Sequence, residues 1–218
     1  MLRTSLLAAV TVSGLAMVAA PSWAGSISGT LTLKGAASST RPASSGDGRP
    51  AKLAAEASEA VVYLQQIPDK VEKKLAKKAE TAHMAQDHKT FIPKTLAIPA
   101  GTLVEFENQD RVYHNIFSVS PVRRFDLGKY APRERYEVRF DKPGVIQVFC
   151  DLHPNEFGYI CVTPNHAYAR PDSTGAFQLP TKLPAGNYRL VVWHPRFGRA
   201  TRDVVMPKKG DVDLALKL

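Results

Sequence analysis

Short runs in which apolar and polar positions alternate recur along most of the chain, and this period of two predicts β-strands. Residues 26–33 alternate in this way, and residues 60–64, 136–140 and 145–149 are further short runs of β-forming residues. The turn sequence Asp-Lys-Pro-Gly at 141–144 separates the last two runs. We therefore expect those two strands to form a hairpin, and we expect the fold class to be all-β.

One segment, residues 68–79, has the spacing of a helix instead. Val71 and Leu75 fall on one face, and lysines crowd the remaining positions. Like charges at i and i+4 make such a helix marginal by itself. A solvated basic face is one interpretation, and a docking patch for an acidic redox protein is the other. A second basic stretch, residues 121–130, is expected to be a long loop.

The amino end has the layout of a cleavable signal peptide over residues 1–24. Arg3 supplies the positive charge, residues 6–20 are apolar, and Ser-Trp-Ala at 22–24 is a small–x–small cleavage motif. The apolar run is short for a membrane span, and no other run is longer. We predict export to the periplasm with no membrane span after cleavage; a retained anchor is the alternative.

The charge balance is basic, with a formal net charge of +9 at pH 7. A basic protein suits acidic partners, because opposite charges speed encounter at low salt. We expect an acidic redox protein such as a cytochrome; a merely solvated surface is the alternative. Nucleic acid is not an expected partner, since the sequence carries no recognised nucleic-acid motif and export argues against one.

The candidate chemistry lies where a run of β-forming residues ends at Cys150. His153 follows three residues later, and His114 lies 36 residues upstream in another strand-like segment. A turn between two strands can hold Cys150 and His153 together at one end of a β-sandwich. Two imidazoles and a thiolate form a set that selects copper for one-electron transfer. We predict a mononuclear Cu(II)/Cu(I) site at these three residues.

The segment from about residue 89 to residue 163 resembles cupredoxins. The resemblance is closest to amicyanin and pseudoazurin-like periplasmic domains and to methylamine-utilisation-type proteins. The matching motifs are Phe-Ile-Pro at 91–93, residues 98–110, His114-Asn115 and Cys150-x-x-His153-Pro154. The resemblance implies an eight-stranded Greek-key sandwich and a mononuclear copper ion. It also implies that Asn115 braces the Cys150 loop from beside the first ligand.

The sequence departs from the cupredoxin pattern at the axial ligand. The family places Met three residues after the second His, and here that residue is Glu156; no Met lies between Met84 and Met206. A bound carboxylate is a harder donor than a thioether and favours Cu(II) over Cu(I). Glu156 is thus a candidate axial ligand. The alternative is a solvent-facing loop carboxylate that does not bind.

The carboxyl-terminal part has a second pattern. Residues 172–179 and 183–194 resemble a carboxypeptidase-regulatory or transthyretin-like module, whose other strands match residues 28–33 and 60–64. This second small β-sandwich is thus expected to be discontinuous. The predicted divisions are the signal peptide (1–24), strands pairing with the carboxyl-terminal module (25–66), a basic helical or linker segment (67–82), the cupredoxin domain (83–164) and the regulatory-like β module (165–218).

Together these features predict a one-electron carrier rather than an enzyme. Copper delivery or storage is one alternative. Another is a metal-free envelope interaction module in which Cys150 and Cys161, the two cysteines of the chain, form a disulfide. Cys161 by itself is expected to be a buried strand residue that packs as a small hydrophobic side chain.

Overall fold

The structure is a computed structural model that describes residues 23–34, 56–77, 81–180 and 182–218. The predicted signal peptide lies outside these ranges up to residue 22. Among the described residues, no helix is both long and apolar enough to cross a bilayer. The fold is all-β, as predicted.

The strands and the basic helix have the following bounds in chain order. They are β1 (Trp23–Gly25), β2 (Ile27–Thr32), β3 (Val61–Leu64), α1 (Asp69–Ala76), β4 (Ala82–Asp87), β5 (Thr90–Ile92), β6 (Thr95–Pro99), β7 (Thr102–Asn108), β8 (His114–Ser118), β9 (Phe125–Tyr130), β10 (Arg135–Phe140), β11 (Gly144–Cys150), β12 (Phe157–Thr163), β13 (Tyr168–Ala169), β14 (Ala176–Gln178), β15 (Leu183–Pro184), β16 (Gly186–His194), β17 (Gly198–Met206) and β18 (Val212–Lys217).

Strands β4 to β12 form two sheets that share one hydrophobic core, which we call the first sandwich. One sheet has the order β10-β7-β4-β5, and the other has the order β6-β12-β11-β8-β9. Side chains from both sheets fill the core, among them Phe106, Phe140, Ile116 and Ile146. The sandwich therefore contains nine strands within the described residues, one more than the resemblance implied.

Alternation along two neighbouring strands decides which residues reach one end of this core. On β11, Ile146, Val148 and Cys150 are buried while the residues between them are less so. On β8 the buried row begins at His114. Because successive side chains point to opposite faces of a sheet, Cys150 and His114 are the terminal inward positions of two paired strands.

Two expectations about this region are wrong. Strands β10 and β11 do not form a hairpin, because β10 pairs with β7 while β11 pairs with β12 and β8. The turn between them carries the chain from one sheet to the other, and a turn motif does not specify which strand the chain will pair with next. Residues 121–130 are not all loop, because β9 occupies the second half and ends at the buried Tyr130.

Seven of the remaining strands form the second sandwich, with sheets β13-β3-β16-β17 and β14-β2-β18. Strands that precede the first sandwich in the chain thus pair with strands that follow it. Helix α1 is shorter than the segment that the sequence indicated, and Val71 packs into this second core. The predicted domain boundaries remain a proposal.

A small apolar cluster joins the outer faces of the two sandwiches. Val61 of β3 meets Ala97 of β6 and Cys161 of β12, and Trp193 packs beside them. Cys161 pairs with Val145 on β11, five residues before Cys150. At about 3.3 Å per residue, the two cysteines are separated by about 16 Å, too far for a disulfide.

Both cysteines are free, so the alternative with a Cys150–Cys161 disulfide is wrong. Burial also raises the pKa of the Cys161 thiol to about 12. Thiolates react with alkylating reagents and thiols do not. Cys161 should therefore be inert in the folded chain.

We predict that a Cys150→Ser variant, in which Cys161 is the remaining thiol, is not alkylated by iodoacetamide at pH 8 while folded. In denaturant it should take up one label. Mass spectrometry of intact protein measures both states. Rapid labelling of the folded variant would contradict the buried position of Cys161 between the sandwiches.

Candidate metal centre

Four side chains that could bind a metal meet at one end of the first sandwich. They come from the start of β8 (His114), the end of β11 (Cys150) and the loop that joins β11 to β12 (His153 and Glu156). One donor atom from each lies within 4.8 Å of all the others. The structure thus brings together the four residues that the sequence singled out.

The loop from Cys150 to Glu156 is closed by its own backbone. The Cys150 N–H donates to the Glu156 carbonyl at 3.0 Å, and the Glu156 N–H donates to the His153 carbonyl at 2.9 Å. Phe149 and Phe157 form the rung of the β11–β12 ladder next to it. This short loop turns the Cys-x-x-His-x-x-Glu spacing into a cluster, because it folds all three side chains towards the same end of the core.

The distances between the donor atoms fit one small ion. The Cys150 Sγ lies 3.5 Å from the His114 Nδ1 and 3.4 Å from the His153 Nδ1. The Glu156 Oε2 lies 3.0 Å and 3.2 Å from the same two nitrogens. Nitrogen and sulfur ligands of a tetrahedral ion stand about 3.5 Å apart when the bonds are about 2.1 and 2.3 Å long.

Atoms that can donate an electron pair to a metal ion face one another in this cluster. The His114 Nε2 lies 2.9 Å from the Asp110 carboxylate and donates to it, so the Nδ1 is the ring nitrogen that faces the cluster. This Nδ1 lies 3.0 Å from the Oε2 of Glu156, whose side chain is 0% exposed. A desolvated carboxylate is stable only beside a cation or hydrogen-bond donors, and a metal ion bound by these side chains would supply the cation. The alternative of a solvent-facing Glu156 is wrong.

The surroundings of Cys150 act on the pKa of its thiol in opposite directions. Burial raises the pKa of the Cys150 thiol, and the charge of Glu156 adds to this effect. Backbone N–H groups of Asn115 and Leu152 donate to the sulfur and act in the opposite direction. The metal-free thiol therefore stays protonated at neutral pH, and a bound cation would displace its proton.

Asn115, the predicted brace, is joined to the Cys150 loop by its main chain. Its carbonyl accepts from the Asp151 N–H at 3.1 Å, and its N–H faces the Cys150 sulfur. Its side-chain oxygen is buried and has no hydrogen-bond partner. The bracing contacts visible in the structure would thus survive a change of this side chain.

Sequence reasoning missed three side chains around the cluster. Asp110 accepts from the backbone N–H groups of His88 and Lys89 at 2.7 and 2.9 Å as well as from His114. Gln86 and Tyr130 are buried beside Glu156. Gln86 carried one available signal, because it is a polar residue at an inward position of β4.

Burial alone would raise the pKa of Asp110. The backbone N–H groups of Lys89 and His88, together with the His114 ring, outweigh this and hold the pKa below its usual value. The carboxylate is therefore ionised at neutral pH. A carboxylate that accepts from a ligating imidazole fixes its orientation and raises its basicity.

The other histidines lie apart from this cluster. His83 is exposed and contacts Glu105, while the adjacent Met84 points into the core, so the two do not form a soft-metal pair. His166 pairs with the Glu72 carboxylate of α1 at 2.7 Å. His194 is buried and lies 2.9 Å from the Glu56 carbonyl. Within the described residues, one group of metal-binding geometry is found.

No protein-family model matches this sequence. No curated protein matches it either. Several solved structures do resemble part of the chain. A novel purple cupredoxin from Nitrosopumilus maritimus is 28% identical, with a TM-score of 0.35, and the match covers 38% of this chain and 99% of that chain.

A copper-containing nitrite reductase from Thermus scotoductus SA-01 is 31% identical, with a TM-score of 0.37; the match covers 39% of this chain and 23% of that chain. Amicyanin from Paracoccus versutus is 20% identical, with a TM-score of 0.34, over 38% of this chain and 82% of that chain. The chain is similar to these proteins over about two fifths of its length.

We predict that Asp110→Asn weakens Cu(II) binding by about 10- to 100-fold, the usual cost of losing a carboxylate behind a ligating histidine. Competition with a chelator of known affinity measures the change. Asp126→Asn is the matched control, because Asp126 caps a turn of β9 and does not contact the cluster. Equal affinities of the two variants would exclude this role for Asp110.

Proposed function

We propose that this chain binds one copper ion through His114, Cys150, His153 and Glu156 and carries single electrons. The observation that supports the proposal is the convergence of these four donors in a desolvated pocket. The two imidazoles and the thiolate are the donor set that copper prefers, and Mg²⁺ or Ca²⁺ would not select a thiolate. Copper, when bound there, supplies the Cu(II)/Cu(I) couple.

The construction of the pocket favours a carrier over an enzyme. Catalytic metal sites keep a coordination position open for water or substrate. Here Glu156 would occupy the fourth position of a tetrahedral ion, and its side chain is sealed from solvent. We therefore propose no catalytic activity for the site, although one protein with a similar part is a nitrite reductase.

Copper delivery or storage is the second candidate function. Of the four ligand residues, His153 alone is partly accessible, with 21% of its side chain exposed. An incoming protein could reach the metal or exchange electrons through this ring. Electron transfer is the stronger candidate, because the other three ligands are buried and two of them belong to strands, an arrangement that hinders ligand exchange.

Partner and compartment are part of the same proposal. An acidic redox protein such as a cytochrome would complement the net charge of +9. Exposed Lys129 and Tyr113, which lie beside the first ligand, form a cation–π contact at 4.6 Å. The signal-like residues 1–24 favour the periplasm.

We also retain the finer family assignments as proposals. The first sandwich is proposed to be amicyanin- or pseudoazurin-like, of the methylamine-utilisation type. The second sandwich is proposed to be carboxypeptidase-regulatory-like. Its β2, β3, β14 and β16 correspond to the segments on which that resemblance was based.

We predict that the Cu(II)-loaded chain has a visible thiolate-to-copper charge-transfer band, because Cys150 would bind the ion through sulfur. Cys150→Ser should abolish this band. Cys161→Ser should leave it unchanged, since Cys161 lies between the two sandwiches. Absorption and electron paramagnetic resonance spectra provide the measurement, and a Cu(II)-loaded wild-type chain without such a band would refute the proposed function.

Voltammetry of the same sample separates the two candidate functions. A carrier should give a reversible one-electron wave with no loss of copper over repeated cycles. A delivery protein should instead release its Cu(I) to a competing thiol-containing acceptor much faster than it exchanges electrons.

We predict that Glu156→Met moves the spectrum towards intense blue and raises the reduction potential. A thioether is softer than a carboxylate and stabilises Cu(I) relative to Cu(II). Voltammetry and absorption spectra of the copper-loaded variant measure both effects. If neither changes, Glu156 is not a ligand, and the binding role of the two histidines and Cys150 is unaffected.

A further inference from the structure

A chain of hydrogen bonds leads inward from Glu156. The Gln86 Nε2 donates to the Glu156 Oε1 at 2.7 Å and lies 3.2 Å from the His114 Nδ1. The Tyr130 hydroxyl donates to the Gln86 Oε1. Gln86 and Tyr130 are both 0% exposed, so no water competes for these bonds. These hydrogen bonds join β4, the end of β9 and the β11–β12 loop.

The Tyr130 hydroxyl fixes the direction in which the hydrogen bonds of this series are donated. Burial raises the pKa of Tyr130 above its usual value, and the charges of Glu156 and Cys150 add to the rise, so the hydroxyl keeps its proton. A phenol that donates to Gln86 must meet the carbonyl oxygen of the amide. The amide nitrogen of Gln86 therefore faces the metal-binding cluster, and its carbonyl oxygen faces away.

The two oxygens of Glu156 consequently have different contacts. The Oε1 accepts from Gln86, while the Oε2 lies 3.0 and 3.2 Å from the imidazole nitrogens of His114 and His153. The first oxygen is occupied by a hydrogen bond from a neutral donor. One oxygen is left to bind an ion.

We infer that Gln86 is a positioning residue that holds Glu156 as a one-oxygen ligand and so sets the balance between Cu(II) and Cu(I). Tyr130 orients Gln86 for this task. The inference rests on the proposed copper site.

The effect on oxidation state follows from charge. The Cu(I) form of the site carries one more negative charge than the Cu(II) form, so a donor to a ligating carboxylate stabilises the reduced form more. Loss of the Gln86 donor frees the Oε1 to approach the ion, and this also favours Cu(II). Both effects lower the reduction potential.

The backbone of Gln86 does not depend on its side chain. Residue 86 pairs with Asn108 on β7 and with Phe91 on β5, and its carbonyl accepts from the Gln109 N–H at 2.9 Å. The strand is therefore anchored on both sides. Removing the amide should change the cluster more than it changes the fold.

The test compares reduction potentials of copper-loaded full chains carrying Gln86→Leu or Tyr130→Phe. We expect each substitution to shift the Cu(II)-to-Cu(I) affinity ratio about tenfold towards Cu(II), a fall of about 59 mV for one electron. Tyr130→Phe keeps the shape of the ring but frees the Gln86 amide to rotate. It provides the second measurement if Gln86→Leu fails to fold.

Ser118→Ala is the matched control. Ser118 is buried on β8, donates to the Gln147 carbonyl at 2.7 Å and does not contact the cluster. Its loss should lower stability and leave the potential unchanged. A comparable fall in potential in this variant would mean that general loosening, rather than Glu156, produces the effect.

A double-mutant cycle decides whether Gln86 acts through Glu156. In a Glu156→Met background, Gln86→Leu should leave the potential unchanged. A shift of the same size in that background, or no shift in the wild-type background, would overturn the inference. A wild-type chain that binds Cu(II) without a charge-transfer band would instead refute the proposed copper site, so the two failures are distinguishable.

Discussion

The end of the first sandwich is organised around one desolvated carboxylate, that of Glu156. Removing a carboxylate from water costs several kcal/mol unless a cation and hydrogen-bond donors compensate. Gln86 supplies a donor to one oxygen, while the other oxygen faces two imidazoles and a sulfur. The loop closure at Cys150 and the contact of His114 with Asp110 both keep the carboxylate at the centre of the cluster.

Local spacing made part of the site predictable from the sequence. Cys150, His153 and Glu156 lie in or beside a loop whose two flanking strands are evident as runs of β-forming residues, so their meeting could be predicted without knowledge of distant pairing. His114 could be assigned because the copper donor set contains a second imidazole. Asp110 could not be assigned in this way, because a carboxylate four residues before a histidine has many equivalent uses on a protein surface.

Features that depend on strand pairing could not be predicted. Gln86 and Tyr130 lie far apart in the sequence, and they meet only because β4 and β9 belong to facing sheets. The same limit explains the hairpin that was expected between β10 and β11. Both segments are strands, and a turn separates them. A chain reversal, however, is compatible with pairing inside one sheet and with a crossing between two sheets.

The position of the first sandwich between β3 and β13 has a consequence for synthesis. In the second sandwich, β2 lies between β14 and β18, which leave the ribosome after the whole copper-binding candidate has been made. Strands β2 and β3 therefore have no sheet partners while the first sandwich is synthesised and folds. Tyr63 of β3 pairs with Tyr168 of β13, and the first sandwich lies between these two residues in the chain. The two ends of the first sandwich must therefore come together before β3 and β13 can pair.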